Sequence, residues 1–452
     1  MDKIKVGLIG FGTVGTGVVR VLRENSSVIK DKLGCEVVLK RIADRDIIRK
    51  RETDVPGDIL TTDVDSIIND PEIAIVIELI GGLEAAGDII VKALKKGKHV
   101  VTANKALLST RGKELFSLAG KEGCDVGFEA SVGGGIPIIK ALREGLAANR
   151  VESIYGIING TANYILSKMT NEGGKFETVL KEAQKKGYAE ADPTYDVEGM
   201  DTAHKLAILI NLAYGTYISL ESIYTEGITR ITELDVRFAR EFGYRIKLLA
   251  IAKREGRGTH PEVVSGEGKS IEARVHPTMI PLSHPLSSVE GVYNAIHING
   301  NASGPVMFYG RGAGMMPTAS AVVADIIDIS RNILKGKGPR TTPLAYTEES
   351  LKDIKVKKID DLEVPYYIRF SAKDLPGVLS KISGVLGSHN ISISSVIQKG
   401  RQRGGTVPLV IITHNSLERE FRKSIEEIET LSVIAGKTMY IRIEENSGGA
   451  DQ

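Results

Sequence analysis

A chain of 452 residues is longer than one hydrophobic core ordinarily supports, so two or three domains are expected. Hydrophobic residues make up 42% and charged residues 26%, an ordinary water-soluble profile, and 59 Lys+Arg against 57 Asp+Glu leave a formal charge of +2, which offers no footprint for nucleic acid or an anionic membrane surface. Cys35 and Cys124 are the only cysteines, too few and too scattered for a disulfide framework or a zinc site, and they read as reduced core residues of a cytoplasmic protein.

The first five residues run straight into an apolar strand, with no signal peptide ahead of it. The most apolar stretch, residues 73–80, contains Glu78 and falls far short of the roughly 20 residues a membrane span needs. Residues 4–9 read as a strand, and Gly10-Phe11-Gly12-Thr13-Val14-Gly15 then opens a helix through Val18, Val19 and Leu22. In that context the glycines permit a tight turn and close approach of backbone to a pyrophosphate, whose charge the helix N-terminus favours. A polar loop around residues 25–32 leads to a second strand, 36–43, which ends at Asp44-Arg45-Asp46. An acid there suits the ribose hydroxyls of NAD and an arginine suits the 2′-phosphate of NADP; this chain offers both. Strands at 75–79 and 98–102, with a helix between them ending near Gly97, continue a parallel α/β layout. Lys105 sits just past the carboxyl end of its strand, the edge where open α/β sheets bind ligands. Next comes Glu129-Ala130-Ser131-Val132-Gly133-Gly134-Gly135-Ile136-Pro137. Such glycine-rich backbone beside a carboxylate either presents carbonyl oxygens to a hard cation or simply turns the chain out of the nucleotide domain.

Residues 151–157 read as a strand and Asn159-Gly160-Thr161-Ala162-Asn163-Tyr164 as a turn into a helix. Five carboxylates then fall between Glu190 and Asp201, after Gly187 and around the turn opener Asp192-Pro193. From Asp201 the apolar residues Ala203, Leu206, Ala207, Ile210, Leu212 and Ala213 repeat at helical spacing as far as the stop Gly215. Asp201 and Lys205 share a face of that helix, which taken alone is an ordinary ion pair worth a few tenths of a kcal/mol; the acidic run makes it part of a site for a small zwitterion. Strands near 275–280 and 295–298 suggest an antiparallel sheet backed by helices. Residues 308–319 lead through Gly314 to an apolar helix at 321–334, and 335–343 read as a linker. Beyond it, strands at 366–370, 391–396 and 408–413, a helix opened by Asp374 as a plausible cap, a helix at 418–431 and a last strand near Met439 give the order β-α-β-β-α-β. Residues 447–452 look disordered.

The segment 183–205, the piece Gly97-Lys98-His99-Val100-Val101-Thr102-Ala103-Asn104-Lys105 and the turn 129–137 together resemble homoserine dehydrogenases, and the resemblance covers nearly the whole chain. The C-terminal order resembles an ACT domain, a small ferredoxin-like module that binds free amino acids. The fold class implied is α/β: a Rossmann-type nucleotide-binding domain at 1–149 completed by 311–335, an α+β substrate and oligomerisation domain at 150–310, a linker at 336–364, and an ACT domain at 365–445. The resemblance implies interconversion of L-homoserine and L-aspartate 4-semialdehyde in threonine, methionine and isoleucine biosynthesis. It makes Lys205 the proton donor and acceptor with Lys105 beside it, and Glu190, Asp196, Asp201, Gly187 and Thr161 the substrate contacts. Gly10, Phe11, Gly12, Thr13, Val14, Gly15, Arg45, Lys105, Gly187, Glu190 and Gly314 would hold NADP, with NAD also accepted. A sodium ion would be bound by the backbone of Glu129, Val132, Gly134 and Ile136. The ACT domain would take an amino-acid effector, L-threonine, at Asp374, Pro376, Gly377, Val378, Leu379 and Asn390, in a homodimer or homotetramer. Pro305, placed in a loop, stands where an acidic residue is expected. The rivals are a nicotinamide-dependent dehydrogenase of another amino-acid semialdehyde and a catalytically silent amino-acid sensor.

Overall fold

The computed structural model describes residues 3–255, 270–336, 338–400 and 405–445; the polar tail at 447–452 lies outside them. The chain divides into two compact units, Met1–Ile158 with Thr202–Glu221 and Tyr293–Ile354, and Asn159–Asp201 with Ser222–Val292 and Lys355–Gln452. The expected substrate domain at 150–310 is thus shared between them, and the C-terminal module belongs to the second.

In the first unit six parallel strands run in the order Leu60–Thr61, Glu36–Ala43, Lys3–Ile9, Ile73–Glu78, His99–Thr102, Val126–Gly127. The central strands are apolar on both faces, as strands covered by helices on each side must be: Ile4, Val6, Leu8, Ile75, Ile77 and Val101 on one face, and Val76 and Val100 on the other, are at most 1% exposed. The first face packs against the helices Thr13–Glu24 and Met315–Leu334. These two helices touch at Gly17, where a Cβ would lie 2.8 Å from the Met315 carbonyl oxygen and 2.9 Å from Ala319 Cβ. The second helix begins at Met315, six residues ahead of its expected start, with Gly314 as its cap at φ +120°.

The expected polar loop at 25–32 is a helix, Ser26–Leu33, closed by Gly34 at φ +75°. It buries only Ile29, so its sequence carries too weak an apolar stripe to be read as helical. The same unit holds the antiparallel strands Val151–Ile157, Tyr293–Gly300 and Gly304–Arg311. Pro305 therefore lies in a strand, opposite Asn299, and not in a loop. The strand is at the edge of its sheet, where a missing N–H leaves no ladder bond broken.

In the second unit Tyr244–Arg254 pairs antiparallel with Ser270–Pro281, which then pairs in parallel with Met439–Ile443. From there the sheet runs through Tyr366–Lys373 and Thr406–Thr413 to Ile393–Gln398. These last four strands pair antiparallel among themselves and carry the helices Val378–Ser388 and Glu418–Glu429, giving the expected β-α-β-β-α-β module. Its core includes Ile368, Phe370, Leu386, Ile411 and Ile428, with Phe421 stacked on Tyr366 at 3.7 Å between ring centroids. Asp374 does not cap the first of these helices: Leu375-Pro376-Gly377 intervene, Gly377 takes the cap at φ +85°, and the Asp374 N–H donates to the Gly405 carbonyl at 3.0 Å. Among the described residues no helix is long and apolar enough to cross a membrane.

Candidate active site

The glycine loop has the shape its sequence demands. Gly10 sits at φ +101°, and a Cβ there would lie 2.7 Å from the Leu79 carbonyl carbon; at Gly15 it would lie 2.2 Å from the Gly10 oxygen. A Cβ on Gly12 would meet nothing within 4 Å, so the loop keeps one open face toward the helix N-terminus at Thr13, the cradle a pyrophosphate needs. Phe11 is buried, Val14 half-buried, and Gly12, Thr13 and Gly314 exposed. Asp44 is occupied within the protein: its Oδ2 accepts the Phe11 N–H at 2.5 Å and its Oδ1 accepts the Asp46 N–H at 2.9 Å. Arg51, which the sequence reading missed, pairs with Asp44 at 3.2 Å, donates from Nε to the Phe11 carbonyl at 2.6 Å and covers the Phe11 ring at 4.5 Å. Arg45 is exposed.

Lys105 is placed by a chain of polar contacts that begins at Glu78, which the sequence reading noted only as the charge within an apolar stretch. Glu78, fully buried at the carboxyl end of its strand, accepts the Ile80 and Gly81 N–H groups at 2.8 and 3.2 Å and the Thr102 hydroxyl at 2.7 Å. Thr102 Oγ1 in turn accepts the Asn104 N–H at 3.0 Å. Asn104 caps the helix Lys105–Glu122 by accepting from Leu107 N at 3.1 Å and donates to the Gly82 carbonyl at 2.6 Å. Lys105 is the first residue of that helix and is half-buried. One turn on, Ser109 Oγ lies 2.5 Å from His204 Nδ1, both residues 7% exposed, which ties this helix to Met200–Tyr214 beside Lys205. Lys205 is 9% exposed and its Nζ donates to the Ile158 carbonyl at 2.8 Å. The structure therefore brings the Lys105 and Lys205 helices together, through a serine and a histidine that the sequence reading did not single out.

At the glycine-rich turn, Gly133 and Gly134 take φ of +73° and +55°, and a Cβ on Gly134 would lie 2.6 Å from Gly312 backbone. Glu129, Val132, Gly134 and Ile136 are all buried. The Glu129 carboxylate accepts the Ile139 and Lys140 N–H groups, each at 2.8 Å. Its own N–H donates to Asp325 Oδ2 at 2.8 Å. Burial and the neighbouring Glu129 push the Asp325 carboxyl up to about 8. Backbone carbonyl oxygens are donors that a hard cation takes.

In the second unit Asn159 is the hub. It is 5% exposed, accepts the Ala162 N–H at 2.8 Å as helix cap, and donates from Nδ2 to Asp196 Oδ1 at 2.8 Å and Asp201 Oδ2 at 2.9 Å. Asp201 is 5% exposed and Asp196 half-buried, so one amide holds two of the predicted acids together. Thr161 Oγ1 donates to the Tyr188 carbonyl at 2.6 Å, next to Gly187 at φ +72°. Glu190 is exposed, its carbonyl accepting Gln184 Nε2 at 3.0 Å. Asp374 to Leu379 and Asn390 are not brought together within one chain. They flank opposite ends of the helix Val378–Ser388, about 16 Å long at 1.5 Å per residue. Leu375 and Leu379 are 50% and 42% exposed, and Asn390 sits at φ +58°.

A parallel sheet with an open glycine loop at its carboxyl edge, lysines on the helices beside it and a ferredoxin-like module at the C-terminus define a dinucleotide-dependent oxidoreductase joined to an amino-acid-binding type of module. The family model for homoserine dehydrogenase matches residues 137–327, that for its NAD-binding domain residues 10–129, and that for the ACT domain residues 366–432. The homoserine dehydrogenase of Pseudomonas aeruginosa is 44% identical over 446 residues, 98% of this chain and 100% of its own length, and that of Bacillus subtilis 40% identical over 449 residues, 99% of each. The crystal structure of a homoserine dehydrogenase from Thiobacillus denitrificans superposes with a TM-score of 0.90 at 46% identity, covering 98% of this chain and 99% of that one. A hyperthermophilic archaeal homoserine dehydrogenase mutant solved in complex with NADPH superposes with a TM-score of 0.59 at 26% identity, over 75% of this chain and all of that one. The chain belongs to the homoserine dehydrogenase family, with an ACT domain at its C-terminus.

Proposed function

We propose that the enzyme interconverts L-homoserine and L-aspartate 4-semialdehyde in the cytoplasm, with NADP preferred and NAD accepted, on the way to threonine, methionine and isoleucine. The observation that carries this reading is Lys205: a lysine 9% exposed, anchored at 2.8 Å to the Ile158 carbonyl, one helical turn after the buried carboxylate Asp201. Lys205 takes the substrate hydroxyl proton during oxidation and returns it during reduction. Asp201 and Asp196, aligned by Asn159, and Glu190 grip the substrate ammonium, while Lys105 carries a positive charge at the nucleotide edge. Thr161 and Gly187 shape the turn beside these acids. The nicotinamide, when bound, supplies or accepts the hydride at the carbon bearing the oxygen. Gly10, Phe11, Gly12, Thr13, Val14 and Gly15 hold its pyrophosphate, Arg45 the 2′-phosphate, and Lys105, Gly187, Glu190 and Gly314 border its nicotinamide end. The backbone carbonyls of Glu129, Val132, Gly134 and Ile136 would hold a sodium ion.

L-Threonine is the effector of the ACT domain, bound where Asp374, Pro376, Gly377, Val378 and Leu379 of one copy meet Asn390 of another in a homodimer or homotetramer. The separation of these residues along one helix supports a site shared between copies. The test is homoserine-dependent reduction of NADP and NAD by the purified protein; no homoserine-dependent signal with either cofactor sinks the reading.

A further inference from the structure

We propose that Glu226 is a positioning residue through which the last strand of the ACT module sets the geometry of the acidic loop that holds Asp196. The proposal rests on the reading that Asp196 and Asp201 bind the substrate ammonium, and all its members lie in one compact unit.

Arg442 is 1% exposed in the strand Met439–Ile443. Its Nε donates to Glu418 Oε2 at 2.8 Å and its Nη2 to Glu418 Oε1 at 2.5 Å; its Nη1 donates to Glu226 Oε2 at 2.9 Å. The guanidinium also lies over the Tyr224 ring at 4.8 Å, and the Tyr224 hydroxyl donates to the same Glu226 oxygen at 2.9 Å. Glu418, fully buried, opens the helix Glu418–Glu429 and accepts the Tyr366 hydroxyl at 2.6 Å. Tyr366 begins the strand that ends at Lys373, immediately before Asp374.

On its other side Glu226 belongs to a segment packed on the acidic loop. Its N–H donates to the Val275 carbonyl at 2.8 Å, and the N–H of Ile228 donates to the Val197 carbonyl at 2.8 Å. At Gly227 there is no room for a side chain: a Cβ would lie 2.6 Å from Val197 O and 2.7 Å from Glu198 Cα. Thr229 Oγ1 donates to Glu198 Oε1 at 3.0 Å. The loop so gripped carries Asp196, whose Oδ1 accepts from Asn159. A buried guanidinium cannot leave its carboxylates without a large penalty, so a displacement of Glu418 or of its strand moves Glu226 with it. Gly227 and Ile228 are too closely packed to absorb that movement, and it passes to Val197, Glu198 and Asp196.

The test compares Glu226→Ala, Glu226→Gln and Thr229→Val in the full chain by steady-state kinetics, thermal melting and an L-threonine titration. The KM for homoserine should rise about 3- to 30-fold in Glu226→Ala and less in Glu226→Gln, with kcat and the KM for NADP within twofold of the starting protein. Thr229→Val, at an exposed bond, should raise the same KM in the same direction without lowering the melting temperature. A merely structural Glu226 would lower the melting temperature and leave the KM for homoserine unmoved, and that outcome overturns the proposal. Should Glu226→Ala fail to fold, an unchanged KM in Glu226→Gln and Thr229→Val overturns it equally. If L-threonine inhibits the starting protein, the inhibition should be blunted in Glu226→Gln, and unchanged inhibition with unchanged KM overturns the relay. If L-threonine has no effect on the starting protein, the threonine reading fails and the KM comparison still decides.

Discussion

Asn159 is the residue at which stability and substrate binding are most tightly joined, and replacing it by aspartate or alanine separates its three bonds. Asn159→Ala removes the cap on the helix Gly160–Asn171, costing about 1 kcal/mol, and two hydrogen bonds to carboxylates, each worth about 1.5–3 kcal/mol. The summed loss is about 4–7 kcal/mol, reduced where water reaches the half-buried Asp196. Asn159→Asp keeps the cap acceptor but sets a third carboxylate within hydrogen-bonding distance of Asp196 and Asp201. At an effective dielectric of about 20, a like pair about 4 Å apart repels by about 4 kcal/mol, so this variant is the less stable of the two near neutral pH. The repulsion raises the folded-state pKa of the introduced carboxylate above its unfolded value, so the folded state binds the extra proton. Its penalty is absent in acid and grows as pH rises from the ordinary carboxylate range toward neutrality. Urea unfolding of both variants between about pH 5 and 8 measures the gap, and homoserine KM values taken alongside should rise in both. A gap that is constant with pH, or Asn159→Asp the more stable at neutral pH, refutes the assignment of Asn159 as the donor between two ionised acids.

Lys205→Ala should lower kcat by about 10²- to 10⁴-fold with NADP affinity near that of the starting protein, measured by steady-state kinetics and cofactor titration; near-full turnover removes Lys205 as proton carrier. Arg45→Ala should weaken NADP by about 1.5–3 kcal/mol and leave NAD nearly untouched, and equal losses for both cofactors take Arg45 out of the phosphate site. Asp374→Ala in the full chain should blunt L-threonine inhibition, a coupling typically of about 1–3 kcal/mol, with uninhibited activity preserved. The full chain is used because the ACT segment shares a compact unit with the acidic loop. Lys247 is 1% exposed, donates to Asn163 Oδ1 at 3.1 Å and to the Val289 carbonyl, and is pushed down to about 7 by burial and by Arg245. Its folded pKa lies below its unfolded one, so the unfolded chain binds the extra proton above about pH 7. Stability should therefore rise from about pH 7 toward the ordinary lysine range by a few kcal/mol, and Lys247→Met should abolish that rise in denaturant titrations.

The nucleotide-binding fold and the ACT module were legible in the sequence because both are written in local terms. The Gly10 to Gly15 loop follows an apolar strand and opens a helix, and the strand and helix periods of the C-terminal module alternate in the observed order. Lys205 could be placed on a helix for the same reason, through the apolar repeat from Ala203 to Ala213, and Lys105 just past the carboxyl end of its strand. The helix Ser26–Leu33 and the strand through Pro305 were not legible: the first buries a single side chain, and the second tolerates proline because it lies at the edge of its sheet among the described residues. What the tertiary structure alone decided is which polar groups share a partner. Glu78 reaches Thr102 over 24 residues, Arg51 reaches Phe11 over 40, Ser109 reaches His204 over 95, and Arg442 reaches Glu226 over 216. A residue's own neighbours in sequence set its backbone preferences, but a buried charge or amide is tolerated only where the folded chain delivers a complementary group to it, and no local pattern records from how far away that group comes.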